Sequence, residues 1–433
     1  MTSFAEIWLW GTRIGAVSLA GEARAATFEY DAEFATGEIE LSPLRMPAGE
    51  ARTYSFPALG ESFEGLPGLL ADSLPDRYGN ALIDAWLAGR GENRDSFDPV
   101  KRLCYVGERG MGALEYRPAV GPKPTTSHVL DVGALAELAR EVVSHRGSLK
   151  APLSGGREAM RELLRVGTSA GGARAKALIA FHPETRGVRS GQLPADSGFE
   201  YWLLKFDGVD DESRELGRSK GYGVVEFVYS QMARAAGIEM SECDLLEEGG
   251  RRHFMTRRFD RGPGGEKLHM QSLAALAHLD YEQAGAHSYE QAFHVIRQLR
   301  LPFEAREQQF RRMVFNLVAR NQDDHVKNIA FLMDRRGNWS LSPAFDVVYA
   351  YNPQGRQTSR HQMSLNGKLD DFTVEDLRAV GDLAGLKRGQ ADRILTEVTE
   401  AVASWPEQAA EAGLDEDRIN RIQSAHRLSL PRR

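Results

Sequence analysis

Asn321-Gln322-Asp323-Asp324-His325-Val326-Lys327-Asn328 opens the stretch that decides the fold. An apolar run follows over 329–333, then a turn at Arg335-Arg336-Gly337-Asn338, a returning run over 339–341 and Ser342-Pro343-Ala344-Phe345-Asp346. Two short apolar runs about a glycine turn predict a hairpin, which returns Asp346 to the end occupied by the octet. Phosphoryl transfer needs few protein groups. A carboxylate orients the attacking hydroxyl and accepts its proton, and oxygen ligands hold magnesium on the phosphates. In the protein-kinase catalytic loop the base Asp and the metal Asn stand about five positions apart. Asp323 and Asn328 have that separation, and Asp346 supplies the second metal carboxylate. Taken alone, the octet also admits a divalent-metal hydrolase site on Asp323-Asp324-His325, or a polar loop that caps a helix end.

Upstream, Phe310, Met313, Val314, Leu317 and Val318 recur at the spacing of one helical face and predict a helix over 304–320. Further back, Val166-Gly167-Thr168-Ser169-Ala170-Gly171-Gly172-Ala173-Arg174-Ala175-Lys176 is a small-residue loop feeding a strand. Its backbone N–H groups could cradle phosphate oxygens, although the Gly-Lys-Ser/Thr of a Walker A loop is missing. Strands are predicted over 176–182, 201–206 and 252–259. A helix is predicted over 223–236, stopped by Gly237 in the position a C-terminal glycine prefers. Lys205 lies inside an apolar strand, where an ammonium is costly without a partner. Glu226 interrupts an otherwise apolar helix and supplies one. Glycine loop, strand lysine, helix glutamate, a loop running from Asp to Asn and a hairpin Asp follow one another in the kinase order of parts.

The first 118 residues read as a small mixed unit. Strands are expected over 7–10, 13–19 and 26–30, a helix over 78–89, and a strand pair over 104–116 around Gly110–Gly112. Residues 118–126, with three prolines, read as a linker and 132–145 as a helix. The expected fold class is therefore α+β: a bilobal protein-kinase-like fold with a β-rich N-lobe (127–259), a helical C-lobe (260–433) and an additional small N-terminal subdomain (1–118).

A net charge of -7 argues against a chain that holds nucleic acid by itself. Arg251, Arg252, Arg257, Arg258 and Arg261, and the pair Arg311-Arg312, read as solvated faces, with an anion site as the alternative. Two cysteines without a CxxC pair exclude a zinc ribbon and suit a reducing cytoplasm. Neither a signal peptide nor a membrane-spanning apolar run is expected.

Asp323-x-His325-x-Lys327-Asn328 with Leu341-Ser342-Pro343-Ala344-Phe345-Asp346 resembles the HipA family of bacterial toxin–antitoxin kinases. Arg258-Phe259-Asp260-Arg261 and Leu69-Leu70-Ala71-Asp72-Ser73-Leu74-Pro75-Asp76 are similar to two further segments of that family. The resemblance implies ATP and Mg2+ as cofactors, Asp323 as base, Asn328 and Asp346 as magnesium ligands, and Lys205 on the phosphates, with Glu226 as its ion-pair support. It places His325 and Lys327 against the nucleotide. Gly171, Gly172, Ala173, Arg174, Ala175 and Lys176 would form the phosphate loop, and Arg257, Arg258 and Phe259 the adenine hinge. Ser169 matches the family's autophosphorylated serine, with Thr168 as neighbour. The implied partners are a protein substrate of the aminoacyl-tRNA synthetase class and a small DNA-binding antitoxin, without direct DNA contact by this chain. A small-molecule kinase of the same architecture and a catalytically silent co-repressor are the alternatives.

Overall fold

Alternation of buried and partly exposed residues marks the first strand: along Ser3–Leu9 the side chains of Ala5, Ile7 and Leu9 are buried and their neighbours are not. The computed structural model describes residues 2–21, 23–49, 52–93, 96–122, 130–144, 162–167, 174–192, 198–209, 220–262 and 264–432. In the N-terminal sheet the strands run in the order Thr53–Ser55, Thr27–Tyr30, Thr12–Leu19, Ser3–Leu9, Leu114–Arg117. All neighbours are antiparallel. The helix Arg77–Ala88 starts where Asp76 accepts a hydrogen bond from the Gly79 N–H.

The strand pair expected over 104–116 does not form. Pro99–Val106 is a helix, and only Leu114–Arg117 is a strand. Asp98 accepts from the Lys101 N–H and Pro99 occupies the first turn. These start signals outweigh the β-branched and aromatic content of the residues they precede. The linker expected over 118–126 lies partly outside the described residues.

A second antiparallel sheet has the order Val188–Ser190, Lys176–Phe181, Glu200–Lys205, Arg251–Arg257, Cys243–Glu248. Lys176–Phe181 is buried throughout, and its Ala177, Ile179 and Phe181 share a core with Leu135, Ala139 and Val142 of the helix Val132–Ser144. The helix Tyr222–Ala235 packs against Arg251–Arg257. Gly223 permits that approach, because a Cβ there would stand 2.7 Å from the Arg252 carbonyl oxygen and 3.0 Å from the Phe254 nitrogen.

The C-terminal part is mainly helical around Phe303–Val318, whose Phe310, Met313, Val314, Leu317 and Val318 are fully buried. The predicted hairpin is present: Ala330–Met333 pairs with Trp339–Leu341 on one side and His269–Ser272 on the other. Met333 is buried in the core of the N-terminal sheet, and Trp339 packs against that core.

The arginine runs are not uniformly solvated. Arg258, Arg311 and Arg312 are buried. Arg311 donates to the Ala236 carbonyl and Glu397, and Arg312 to the Ser342 carbonyl. No helix among the described residues is long and apolar enough to cross a membrane.

Candidate active site

The helix Phe303–Val318 ends just before the octet, and the octet's two aspartates then face opposite ways. Asp323 is exposed, with its Oδ1 3.9 Å from His325 Nε2. Asn328 Nδ2 donates to the Asp323 carbonyl oxygen at 2.8 Å, which closes the loop and holds the two residues together. Asp324 is buried and accepts three hydrogen bonds: from Tyr289 Oη at 2.6 Å, His361 Nδ1 at 2.8 Å and the Gln362 N–H at 2.8 Å. Burial opposes its charge, but His361 and the other donors outweigh burial and hold its carboxyl below the usual range. This anchor was inside the quoted motif, yet its partners come from remote segments and left no local signal.

Lys205 lies on the strand Glu200–Lys205. Its Nζ donates to Glu226 Oε1 at 2.5 Å and also to Asp346 Oδ1. Burial alone would lower the lysine pKa, but the two carboxylates outweigh it and push it up. Asp346 is half-buried, with a left-handed backbone (φ 52°). Its carboxyl is held below the usual range because Lys205, and then Lys176, outweigh burial. Gly223 thus has a consequence at the site, since it seats the helix one turn before Glu226.

Lys176 is in register with Lys205 on the neighbouring strand. It is buried, and its Nζ lies 2.7 Å from Asp76 Oδ2, a contact between the sheet and the N-terminal unit that the sequence did not reveal. Arg174 stacks over the Tyr222 ring at 3.5 Å and lies 3.7 Å from Glu226 Oε2, while Ala175 is buried. Thr168, Ser169, Gly171, Gly172 and Ala173 lie outside the described residues.

Between sheet and helices is an apolar recess of about 40 Å³, lined by Leu203, Met240, Phe254, Phe259 and Phe345, with Lys205, Glu226 and Asp346 also on its wall. Arg257–Phe259 borders it, and Arg257 is turned toward Glu200 at 3.1 Å and Glu242 at 3.4 Å. A neighbouring polar cleft of about 330 Å³ is lined by Asp323, His325, Lys327, Asn328 and Asp346, and by Asp72, Asp76 and Arg77 of the N-terminal unit. Lys327 Nζ sits 4.9 Å over the Tyr281 ring.

Two fastenings hold the N-terminal wall in place. Asp72 accepts from the Ser272 N–H at 2.6 Å and from Ser272 Oγ at 2.7 Å. Asp260, fully buried, accepts from Arg258 at 2.7 Å, Arg261 at 2.6 Å and the Gly112 N–H at 2.7 Å. The two arginines outweigh burial and hold the Asp260 carboxyl well below the usual range.

Among the described residues no three His, Cys, Asp or Glu side chains gather to hold a metal ion by themselves. Asn328 and Asp346 do line one cleft. An amide oxygen and a carboxylate suit a hard divalent cation that brings further oxygen ligands with it, as a nucleotide phosphate would.

The sequence matches the HipA-like C-terminal domain over residues 168–405 and the HipA N-terminal domain over residues 5–117. The chain belongs to the HipA family. HipA of Shewanella oneidensis MR-1, solved in a toxin–antitoxin complex with HipB and its operator DNA, superposes with a TM-score of 0.66 at 18% identity, covering 97% of this chain and 95% of that one. The likeness establishes a shared bilobal α+β fold for this HipA-family chain. "Putative kinase Y4mE" of Sinorhizobium fredii (strain NBRC 101917 / NGR234) is 23% identical over 220 residues, 47% of this chain. The match spans about half the length of that relative (52%). The proinflammatory kinase CtkA of Helicobacter pylori gives a TM-score of 0.32 at 12% identity over 52% of this chain and 84% of its own.

Proposed function

We propose that the chain is an ATP- and magnesium-dependent serine/threonine protein kinase, a toxin of a toxin–antitoxin system. The observation that carries this reading is that Asp346 joins Asp323 and Asn328 on the wall of the polar cleft and the Lys205–Glu226 pair on the wall of the adjoining apolar recess, four separate segments being brought together. The apolar wall of the recess would take one face of an adenine, with the backbone of Arg257–Phe259 as hinge. Lys205 reaches the phosphates, and Arg174, Ala175 and Lys176, His325 and Lys327 line the nucleotide's path. Asn328 and Asp346 would hold magnesium, which when bound would neutralise charge on the phosphate oxygens. Asp323 orients the acceptor hydroxyl and takes its proton as the oxygen bonds to the γ-phosphorus and the bond to ADP breaks.

The division into residues 1–118, 127–259 and 260–433 belongs to the same reading. So do modification of Ser169 as a self-limiting step, a protein substrate of the aminoacyl-tRNA synthetase class, a small DNA-binding antitoxin as partner and a cytoplasmic location.

The test is intact-mass analysis of the purified full chain after incubation with ATP and magnesium, beside Asp323→Asn and a sample containing a chelator. Phosphate gained only by the parent chain with metal present is the expected result. Nucleotide binding without self-labelling or transfer to any lysate protein would favour a small-molecule kinase. Absence of nucleotide binding would leave the silent co-repressor.

A further inference from the structure

Beside the cleft, and sharing His325, Asn328, Phe345 and Asp346 with it, lies a cavity of about 30 Å³ lined by the helix Phe303–Val318, the octet and residues 344–347. Among the described residues, four polar atoms belonging to the lining side chains are closed to solvent and have no hydrogen-bond partner: Gln309 Oε1, Arg312 Nε, Asn321 Oδ1 and His325 Nδ1. Gln309, Asn321 and Arg312 are 1%, 3% and 8% exposed. Burial, outweighing the pull of Glu239, pushes the Arg312 guanidinium down to about 10, and Arg312 donates to the Ser342 carbonyl. A buried polar atom left without a partner forfeits its hydration with nothing in return. Four such atoms on residues that line one small space therefore call for a partner there.

The donor set identifies it. Arg312 Nε can only donate, whereas Gln309 Oε1 and Asn321 Oδ1 can only accept. A cation would be repelled by the guanidinium and an anion by the two amide oxygens. Water does both at once, and a space of this size holds one or two molecules, since each needs roughly 10–15 Å³.

We propose that this cavity is a built site for one or two structural waters, and that they are part of the catalytic apparatus. The bound water receives from Arg312, donates to Gln309 and Asn321, and meets Nδ1 of His325, so the imidazole is held from behind while Nε2 faces Asp323. Asp346 and Val347 line the same cavity, so the water also joins the two segments that carry the proposed metal ligands. Gln309, Arg312 and Asn321 thereby become positioning residues. Their role in transfer rests on the kinase reading; the water site does not.

The first arm of the test is a crystal structure of the full chain at a resolution where waters are seen. Expected is ordered density within hydrogen-bond distance of Arg312 Nε and of Gln309 Oε1 or Asn321 Oδ1. A dry cavity, or these side chains bonded to one another, overturns the proposal. The second arm is Gln309→Met, which keeps the volume and removes the acceptor. A kcat lower by roughly tenfold with unchanged KM for ATP is expected, with Gln309→Glu, which restores an acceptor, recovering most of it. Equal loss in both variants, or none in either, overturns the catalytic part. Density present in a chain that transfers no phosphate overturns the functional reading and leaves the water site standing.

Discussion

Lys205 Nζ and Glu226 Oε1 lie 2.5 Å apart, across 21 residues of sequence, inside a lobe that shields both from water. Removing one member of a buried pair leaves an uncompensated charge. Lys205→Met is expected to lower stability by roughly 3–5 kcal/mol, read as a shifted urea midpoint, and to weaken nucleotide binding in a calorimetric titration.

Asp323→Asn separates activity from stability. The side chain is half exposed, and His325 Nε2 lies 3.9 Å from its Oδ1. Phosphoryl transfer is expected to fall by roughly 10²- to 10⁴-fold with the thermal midpoint unchanged. A midpoint shift of many degrees would assign the residue to the fold instead.

The backbone approach at Gly223 predicts a cost for even one methyl group. Gly223→Ala must move the helix off the Arg252 carbonyl, at roughly 1–3 kcal/mol, and it carries Glu226 with it. The variant is expected to lose transfer activity out of proportion to its stability, which thermal unfolding and initial rates measured together will decide.

Much of this was legible beforehand, because helix and strand periods are local. The hairpin, the helix around Phe310 and Leu317, and the placement of Lys205 and Glu226 could all be read from apolar spacing and from single polar residues out of pattern. The helix Pro99–Val106 was missed because its start signals, Asp98 and Pro99, stand ahead of the residues that resemble a strand. The partners of Asp324, the Asp76–Lys176 contact and the interior placement of Arg312 were beyond reach for another reason. Each is set by segments dozens of residues away, and an aspartate or arginine reads the same whether it ends in water or in a core.

Asp260 gives the pH dependence. Its carboxyl is held below the ordinary aspartate range by Arg258 and Arg261, so it binds a proton more readily in the unfolded chain, where its pKa is about 3.9. Its contribution to stability is complete above that value and is lost as pH falls below it toward the folded-state pKa. Asp260→Asn is expected to be destabilised by roughly 3–5 kcal/mol near pH 7. The gap to the parent chain narrows below about pH 4, as equilibrium denaturation across pH will register.

Met333 closes the N-terminal sheet's core only five residues after Asn328. The core of the first sheet is therefore tied by a short strand to the loop that carries Asp323 and Asn328. If that loop carries the proposed transfer, packing inside the first module bears on the reaction itself. A substitution that loosens the packing around Ile7 or Phe28 changes the stiffness of the loop's mounting without touching any group in the cleft, so loss-of-activity alleles are expected to scatter through a region with no chemistry of its own.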